Sequence, residues 1–480
     1  MDNLKQTTVS ALVWNLIDRF GQQVLQFAVA IVVANILCPD DYAVVAMLAI
    51  FTAIGNLIVE SGFGAALIQR KDVGEEDYAT VFWFNLGMSV VLYASLVASL
   101  PLIAAYFHEP QLLSVGTVVF LSLPVSASML IQNTLLTKQV RFRHLAKVDL
   151  TAMILSSVAA VAMAAGGCGV WTLAWQPVTL AASKSVLLWT TSGWRPRLCF
   201  RFARLRSLFG FASSLLASGL INACFLNVYS LVIPRLYPKR ELGYFTQGNK
   251  ICDPIVSLVY GSIQNATYPI FSHIQDEHER LINAYRKTIR LTSLLTFPML
   301  IGAIAVGPQL FHLIFKEAWW PAIPYFQLLC AGGCFTVLTA VGNNFIKVSG
   351  RSSGILKLEV VKILLTVGVI ALLMHESVLV MVGGLVSVRL AVHVACMALT
   401  HRYTGYRFTA QLRDTLPYLA LAAVMGVVCW LPSLVPSLQA RAWFLLPLQV
   451  VLGAASYLAL AYLTGSRVLR EALQLLRRKS

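Results

Sequence analysis

A stripe of polar side chains interrupts the first long apolar segment of the chain, in the stretch WNLIDRFGQQVLQ that begins at Trp14. On a helix, spacings of four, three and four residues place on one face the side chains of Asn15, Arg19, Gln22 and Gln26. Arginine binds phosphate oxygens in a bidentate manner, and amide side chains offer the donors and acceptors that suit sugar hydroxyls. The stripe, with Asp18 at its margin, therefore favours binding of an anionic, hydroxylated ligand.

The composition indicates that membrane helices carry this stripe. Of the 480 residues, 58% are hydrophobic and only 12% are charged, about half the charged fraction of an average soluble protein. The apolar residues form blocks of about 20 or more, which is the length of a spanning helix, and isolated strands cannot satisfy their backbone groups in lipid. We therefore predict an all-α polytopic membrane protein.

Fourteen transmembrane spans are predicted from these apolar blocks. They cover residues 9–37, 43–67, 80–107, 112–136, 149–166, 170–191, 208–236, 251–272, 290–315, 320–346, 355–374, 377–400, 414–435 and 442–464. The first block is long, carries charges and lacks a small-residue cleavage site, so no cleavable signal is expected.

The distribution of basic residues predicts the orientation of the spans. With the N-terminus in the cytoplasm, 27 of the 37 Lys and Arg lie in cytoplasmic segments and only six lie in outer loops, as the positive-inside rule requires. We therefore expect both termini to be cytoplasmic. The net charge of +16 then arises from short loops beside anionic headgroups, and no nucleic-acid partner is needed to explain it.

The loops argue against an enzyme. None of them is long enough to hold a soluble catalytic domain, and the chain contains no G-x-x-x-x-G-K-[ST] phosphate-binding loop. The nine Cys and eight His show no spacing typical of a metal site or a disulfide framework. We expect a transporter that has neither a cofactor nor a metal ion.

Arg19 is the strongest candidate functional residue within the spans. An arginine at the centre of a membrane helix costs roughly 2.5–3.5 kcal/mol on insertion scales, so its helix face meets protein or a water-filled cavity. Two interpretations remain open, namely lining of a cavity and structural pairing with another helix. Asp18 is a poor partner for Arg19, because adjacent side chains diverge by about 100° on a helix.

Several other polar residues within the spans are candidates for binding or ion coupling. Arg389 and Lys184 would add positive charge to the interior, and Asn222 is part of an unusually polar seventh span. Asp18 and Glu60 are candidates for coupling to H⁺ or Na⁺. A role for Asp253, near a span end, stays open.

Lys362 has a simpler interpretation than the other cations in the spans. Glu359 lies three residues before it, within one helical turn. Pairing with Glu359 or extension to the headgroups is therefore expected.

An internal repeat predicts the domain organisation. The stretches ANILCPDDYAVVAM and IPRLYPKRELGYFTQ share an apolar helix end, a proline, a charged pair and a tyrosine, and they lie six spans apart. Because six is even, the two halves have the same orientation, as in transporters built from parallel repeats. The expected segments are a six-helix bundle (1-191), a basic cytoplasmic connector (192-207), a second six-helix bundle (208-401), two additional helices (402-464) and a basic cytoplasmic tail (465-480).

Five stretches together resemble a signature of bacterial polysaccharide exporters of the colanic-acid and teichuronic-acid type. They are AALIQRKDVGEEDYATVFWFN, ELGYFTQGNKI…P, YPIFSHIQDEHERLINAYRK, FKEAWWPAIPYFQLL and KVSGRSSGILK. The resemblance extends from the first span to about the twelfth. It implies that the chain is a member of the multidrug/oligosaccharidyl-lipid/polysaccharide superfamily. One departure is FKEAWW, where Lys316 and Glu317 occupy positions that often include glycine in relatives.

The resemblance implies a fold and a function. It implies two six-helix bundles in a V shape with two further helices, in the bacterial inner membrane. The substrate would be an oligosaccharide repeat unit on undecaprenyl pyrophosphate, as in O-antigen, capsule or exopolysaccharide synthesis. It would be flipped to the periplasmic leaflet, with a polymerase and a chain-length regulator as candidate partners. Arg19 resembles the first-helix arginine in the cationic cavity of such flippases.

Two rival functions remain open at the level of the sequence. The first is a cation-coupled multidrug antiporter of the same superfamily, which Asp18 would suit and a positively charged cavity would not. The second is a membrane polysaccharide polymerase or ligase, against which the lack of a sizeable periplasmic loop argues.

Overall fold

The computed structural model describes residues 2–60, 62–70, 72–349, 353–436 and 442–465. The chain divides into two compact units, Met1–Gly243 and Tyr244–Ser480. Throughout the described ranges the regular structure is helical and contains no strand, so the predicted all-α class is confirmed. The predicted domain segments stay predictions.

The first unit consists of ten helices and the first turn of an eleventh, within the described ranges. They are α1 Asp2–Ala34, α2 Pro39–Met47, α3 Ala49–Glu60, α4 Phe63–Gln69, α5 Glu75–Phe107, α6 Leu112–Ala127, α7 Leu130–Lys138, α8 Phe142–Ala165, α9 Val170–Thr191 and α10 Phe202–Leu236. Helix α1 packs on α8, α8 on α9, and α6 on both α5 and α9, while α10 packs on α3 and α5.

The second unit contains most of α11 and the helices that follow it. They are α11 Lys239–His273, α12 His278–Ile314, α13 Ile323–Val348, α14 Ser353–Leu373, α15 Val378–Thr404, α16 Phe408–Trp430 and α17 Ala442–Leu463. Helix α12 lies at the centre of the packing and contacts α13, α16 and α17, and α15 packs between α13 and α14.

Ten helices in the described part of the chain are long and apolar enough to cross a membrane, or up to eleven if the bent pair α6–α7 is one span. The exact number of fourteen spans is therefore not confirmed. The three remaining predicted spans lie on α9, α11 and α14. Helix α14 is apolar overall, but it carries three charged residues, Lys357, Glu359 and Lys362, within two turns.

Two predicted spans are broken rather than continuous. In the span 112–136, helices α6 and α7 meet at a 43° bend after Pro124, because proline removes a backbone donor and crowds the preceding turn. In the span 43–67, the chain breaks at Leu48 and again at Gly62, whose φ of 67° favours glycine. Broken membrane helices expose backbone groups that need partners within the protein.

Both copies of the repeat motif form a helix, a short turn and a second helix. Helix α2 begins at Pro39, and the backbone N–H of Cys38 donates to Asp41 Oδ2 over 3.2 Å. Helix α11 begins directly after Pro238. A Cβ on Gly243 would lie 2.2 Å from the carbonyl oxygen of Pro39. The two motifs therefore pack against each other at a point where only glycine fits.

Candidate functional site

The polar stripe of α1 contains a hydrogen-bonded pair and an exposed cation. Gln22 Nε2 donates to Asp18 Oδ1 over 2.7 Å, and both side chains are half-buried. The side chains of Arg19 and Gln26 are exposed. Asn15 lies on the same helix, but its side chain is outside the described part of the structure. The carboxylate of Asp18 is thus held by its own helix, while the guanidinium of Arg19 is accessible.

Asp18 also lies near two charged residues on neighbouring helices. Lys184 on α9 forms an ion pair with Asp149 on α8, in which Nζ lies 2.6 Å from Oδ1. Asp18 interacts electrostatically with both of them. This arrangement follows from the packing of α1 on α8 and of α8 on α9. Three helices therefore bring Asp18, Asp149 and Lys184 together.

Glu60 completes a cluster of charges in the first unit. It is the last residue of α3, and it interacts electrostatically with Lys184. We call this set the first-unit charge cluster, and it consists of Asp18, Arg19, Glu60, Asp149 and Lys184. This cluster has three carboxylates and two cations, because Asp149 adds a negative charge beside Lys184.

Asp149 is the residue of this cluster that sequence reasoning missed. It lies at the start of the fifth predicted span, where a carboxylate near a helix end needs no special explanation. Its significance comes from Lys184, which is 35 positions later on another helix. A signal could have come from the fact that a lysine within a span needs a counter-charge on an adjacent helix.

The second unit contains its own buried cation. Arg389 on α15 is half-buried and lies over Gly332 of α13, where a Cβ would be 2.9 Å from the Cδ atom of the arginine. Asp253 on α11 interacts electrostatically with Arg389. Three helices of this unit therefore meet at Arg389, and two candidates from the sequence, Arg389 and Asp253, are neighbours.

The remaining candidate, Asn222, lies on α10 in the first unit and has an exposed side chain. Helix α10 packs on α3, the helix that ends at Glu60. The exposed amide is therefore available to a ligand, although it is not part of the charge cluster.

No group of three or more His, Cys, Asp or Glu within the described ranges is arranged to hold a metal ion. The sulfur atoms of Cys252 on α11 and Cys330 on α13 lie 3.5 Å apart in a buried position. They make a weak hydrogen bond in an apolar interior, which is the ordinary behaviour of buried cysteine.

A second ionic network, which the sequence did not predict, joins α12 to α16. The carboxylate of Asp414 is 3% exposed and accepts hydrogen bonds from the guanidinium groups of Arg286 and Arg290, with Nε–O distances of 3.0 and 2.9 Å. Tyr406 donates its hydroxyl to the same carboxylate. Burial, together with this hydrogen bond, raises the pKa of the Tyr406 phenol. The network holds the start of α16 on α12.

The fold is similar to the folds of solved flippase and transporter structures. The solved structure "Lipid II flippase MurJ, inward closed conformation" is similar with a TM-score of 0.76 at 12% identity, and the match covers 94% of this chain and 98% of that one. An inward-facing multidrug resistance MATE family transporter of the MOP superfamily is similar with a TM-score of 0.60 at 16% identity, over 82% of this chain and 96% of that one. Likenesses at such low identity define the fold alone.

The family model named "Polysaccharide biosynthesis protein" matches residues 32–324, more than half of the sequence, and the chain belongs to this family. The teichuronic acid biosynthesis protein TuaB of Bacillus subtilis is 25% identical over 361 residues, which are 73% of this chain and 72% of that protein. The lipopolysaccharide biosynthesis protein WzxC of Escherichia coli is 24% identical over 347 residues, which are 71% of this chain and 69% of that protein. The resemblance predicted from the sequence is confirmed.

Proposed function

We propose that this protein translocates a lipid-linked oligosaccharide, an undecaprenyl-pyrophosphate repeat unit, from the cytoplasmic to the periplasmic leaflet of the bacterial inner membrane. The observation that carries the proposal is the exposed guanidinium of Arg19 within an apolar helix of a polysaccharide biosynthesis protein. An anion that must pass the hydrocarbon core needs such a charge, because a phosphate without a counter-charge cannot be desolvated cheaply.

Arg19 contacts the pyrophosphate in this mechanism. A guanidinium can bind two phosphate oxygens at once and stays charged at any physiological pH. Sugar hydroxyls are bound by the amides along α1 and α10, which donate and accept hydrogen bonds. These amides belong to Asn15, Gln22, Gln26 and Asn222. Arg389 is a second site for the anion when the ligand moves along the second unit.

Lys184 responds to the ligand through its ion pair with Asp149. Without ligand the two side chains neutralise each other at 2.6 Å, which limits the cost of a charge in an apolar helix. An arriving phosphate competes with Asp149 for the ammonium group. Release of Asp149 then leaves a carboxylate near Asp18, and binding of H⁺ or Na⁺ by Asp18 or Glu60 offsets the resulting repulsion. This order of events couples movement of the ligand to binding of H⁺ or Na⁺.

The protein acts as a transporter and not as an enzyme on this lipid. The prenyl tail stays in the bilayer while the headgroup moves, and the exposure alternates between the two sides by rocking of one half against the other. A polymerase and a chain-length regulator of the same pathway consume the flipped units. Both termini lie in the cytoplasm.

The test is a depletion strain in which lipid-linked oligosaccharides are extracted and assigned to a leaflet with an impermeant glycan-modifying reagent. Complete units are expected to accumulate on the cytoplasmic face, with loss of surface glycan. A build-up of single unpolymerised units in the periplasm would contradict the proposal and indicate a polymerase or ligase instead.

A cation-coupled multidrug antiporter is the second candidate. The observation that favours it is the excess of carboxylates in the first-unit charge cluster, since Asp18, Glu60 and Asp149 would attract a cation. The same depletion strain separates the two functions. Normal surface glycan combined with new sensitivity to cationic drugs would favour the antiporter.

A further inference from the structure

The segment that links α9 to α10 is fixed to the first unit by hydrogen bonds and burial. The indole N–H of Trp83 on α5 donates to the carbonyl oxygen of Arg197 over 2.9 Å. The backbone N–H of Arg201 donates to Thr80 Oγ1 over 3.2 Å. Trp194 and Leu205 are buried in the cluster of apolar side chains around Phe82. The backbone of this segment therefore has a defined position.

The same segment exposes three large apolar side chains. Leu198, Phe200 and Phe202 have relative exposures of 92%, 52% and 67%. Exposed apolar residues are expected where a helix meets lipid, but these three lie between the predicted spans, in a stretch that has five arginines among residues 195–206. Three such side chains within five residues expose a concentration of apolar surface, which is typical of an interaction site.

Three arginines of the segment contact other residues of the first unit. Arg201 and Arg204 pair with Glu76 and Asp77 at the start of α5. Arg195 stacks over the ring of Trp189, with its guanidinium carbon 5.4 Å from the ring centre.

Arg197 and Arg206 have exposed side chains, and neither forms an ion pair with any described residue. We call the five residues Arg197, Leu198, Phe200, Phe202 and Arg206 the connector patch. It combines two positive charges with an exposed apolar surface.

The connector patch lies next to the ends of two predicted spans. Helix α9 ends at Thr191 and α10 begins at Phe202, so Leu198 and Phe200 belong to the short link between them. Trp83, Trp189 and Trp194 pack around Phe82 beside this link, with ring-centre distances of 5.2 to 6.1 Å. Basic and apolar side chains next to the ends of membrane helices are expected at the level of the lipid headgroups.

We propose that the connector patch is a binding site for anionic phospholipid of the cytoplasmic leaflet. Leu198, Phe200 and Phe202 enter the region of the acyl chains, and Arg197 and Arg206 contact lipid phosphates. Charge complementarity selects this occupant, because the surface is cationic as well as apolar, and anionic leaflets attract such segments. The site is independent of the transported substrate.

The depth of the patch can be measured with a nitroxide on Leu198→Cys in the full-length protein. Cys38, Cys168, Cys199 and Cys224, which are at least partly exposed, are first changed to Ser. The protein is placed in nanodiscs of phosphatidylcholine alone or with about a third phosphatidylglycerol, the anionic membrane fraction that a basic segment would recognise. Collision rates of the nitroxide with oxygen, which concentrates in lipid, and with a water-soluble nickel chelate are compared.

We expect oxygen collisions to dominate in the anionic nanodiscs. In R197Q/R206Q the ratio of oxygen to nickel collisions should fall several-fold, while R197K/R206K should keep it, because lysine retains the charge. The matched control R402Q/R407Q, which removes two exposed arginines of the second unit, should leave the ratio unchanged.

Three results would overturn the proposal. Dominant nickel collisions in anionic nanodiscs would place the patch in water. Protection from both reagents would mean that protein, such as a second copy of this chain, covers it. An equal fall of the collision ratio in R402Q/R407Q would mean that the total positive charge of the protein, and not the connector patch, determines the position of residue 198.

Discussion

Arg19 and Lys184 are both cations in apolar helices of the first unit, but their surroundings differ. The side chain of Arg19 is exposed on α1, whereas Lys184 is half-buried and paired with Asp149 at 2.6 Å. A charge that already has a counter-ion contributes to packing of the helices, and an accessible charge is available to a ligand. The two residues should therefore respond differently to substitution.

Arg19→Ala should abolish glycan export at a normal protein level, because it removes the group that binds phosphate and leaves the contacts of α1 in place. Arg19→Lys should be partly active, since lysine keeps the charge but not the bidentate geometry. Surface glycan and immunoblots of the membrane fraction measure the two quantities. Arg402→Ala, at an exposed position of α15, is the matched control. Full export by Arg19→Ala would remove Arg19 from the mechanism.

Lys184→Met and Asp149→Leu should each lower the stability of the protein by about 1–3 kcal/mol, a value between those of exposed and buried ion pairs. The double variant should recover most of this loss, because no uncompensated charge remains. Thermal unfolding of the purified variants measures the stabilities.

Export by the double variant distinguishes the role of the lysine. If Lys184 competes for the ligand as proposed, the double variant is folded but exports poorly. Wild-type export by the double variant would show that the pair only holds α8 and α9 together.

Local pairs can be predicted from the sequence, and pairs between helices cannot. For Lys362 the sequence predicts either pairing with Glu359, three residues away, or extension to the headgroups, and the structure shows the ion pair at 2.5 Å. The pairing of Lys184 with Asp149 depends on which helices are neighbours, and one sequence does not contain that information. The same reason explains why the partners of Asp414 were missed.

At the scale of the helices, the network around Asp414 attaches the last two described helices to the second unit. Helix α16 packs on α12 and α17 packs on both. Tyr457 of α17 donates its hydroxyl to the carbonyl oxygen of Leu294 on α12 over 3.1 Å. The arginines of α12 and the carboxylate of α16 thus anchor one end of this group of helices.

Asp414→Asn should destabilise the protein by about 2–4 kcal/mol, because two guanidinium groups lose the carboxylate that neutralises them. Thermal unfolding in detergent measures the effect, and limited proteolysis between α15 and α16 should become faster. Asp276→Asn, at an exposed position before α12, is the control and should be neutral. An unchanged melting temperature for Asp414→Asn would contradict the role of the network.

Helix ends were predictable where apolar blocks meet a proline and a charged turn: α1 and α10 end at Ala34 and Leu236, against predicted ends at 37 and 236. The helices that follow begin earlier than predicted, at Pro39 and not at 43, and at Lys239 and not at 251. The breaks within spans were not predicted, because a run of apolar residues has the same appearance whether the helix is straight or bent. Pro124 was a signal for the bend between α6 and α7. At Gly62 the break depends on a positive φ that only the folded chain defines.

At the scale of the whole molecule, the predicted orientation determines which loops an impermeant reagent can reach from outside the cell. In a background without exposed cysteine, Lys239→Cys should react with an impermeant thiol reagent in intact spheroplasts, because it lies in a predicted outer loop. Arg143→Cys should react only after the membrane is opened. Both positions are exposed or nearly so, so burial does not explain a difference. The reverse labelling pattern would overturn the orientation and the cytoplasmic side of the connector patch.

The measurement that tests the central claim most directly is translocation by the purified protein in proteoliposomes. The probe is lipid-linked oligosaccharide extracted from the depletion strain, and an impermeant glycosidase reports the fraction in the outer leaflet over time. Wild-type protein is expected to move the probe between leaflets, and Arg19→Ala is expected to leave it at the rate of protein-free liposomes. Equal, slow movement with and without the wild-type protein, together with uptake or release of a cationic dye, would contradict lipid-linked oligosaccharide translocation.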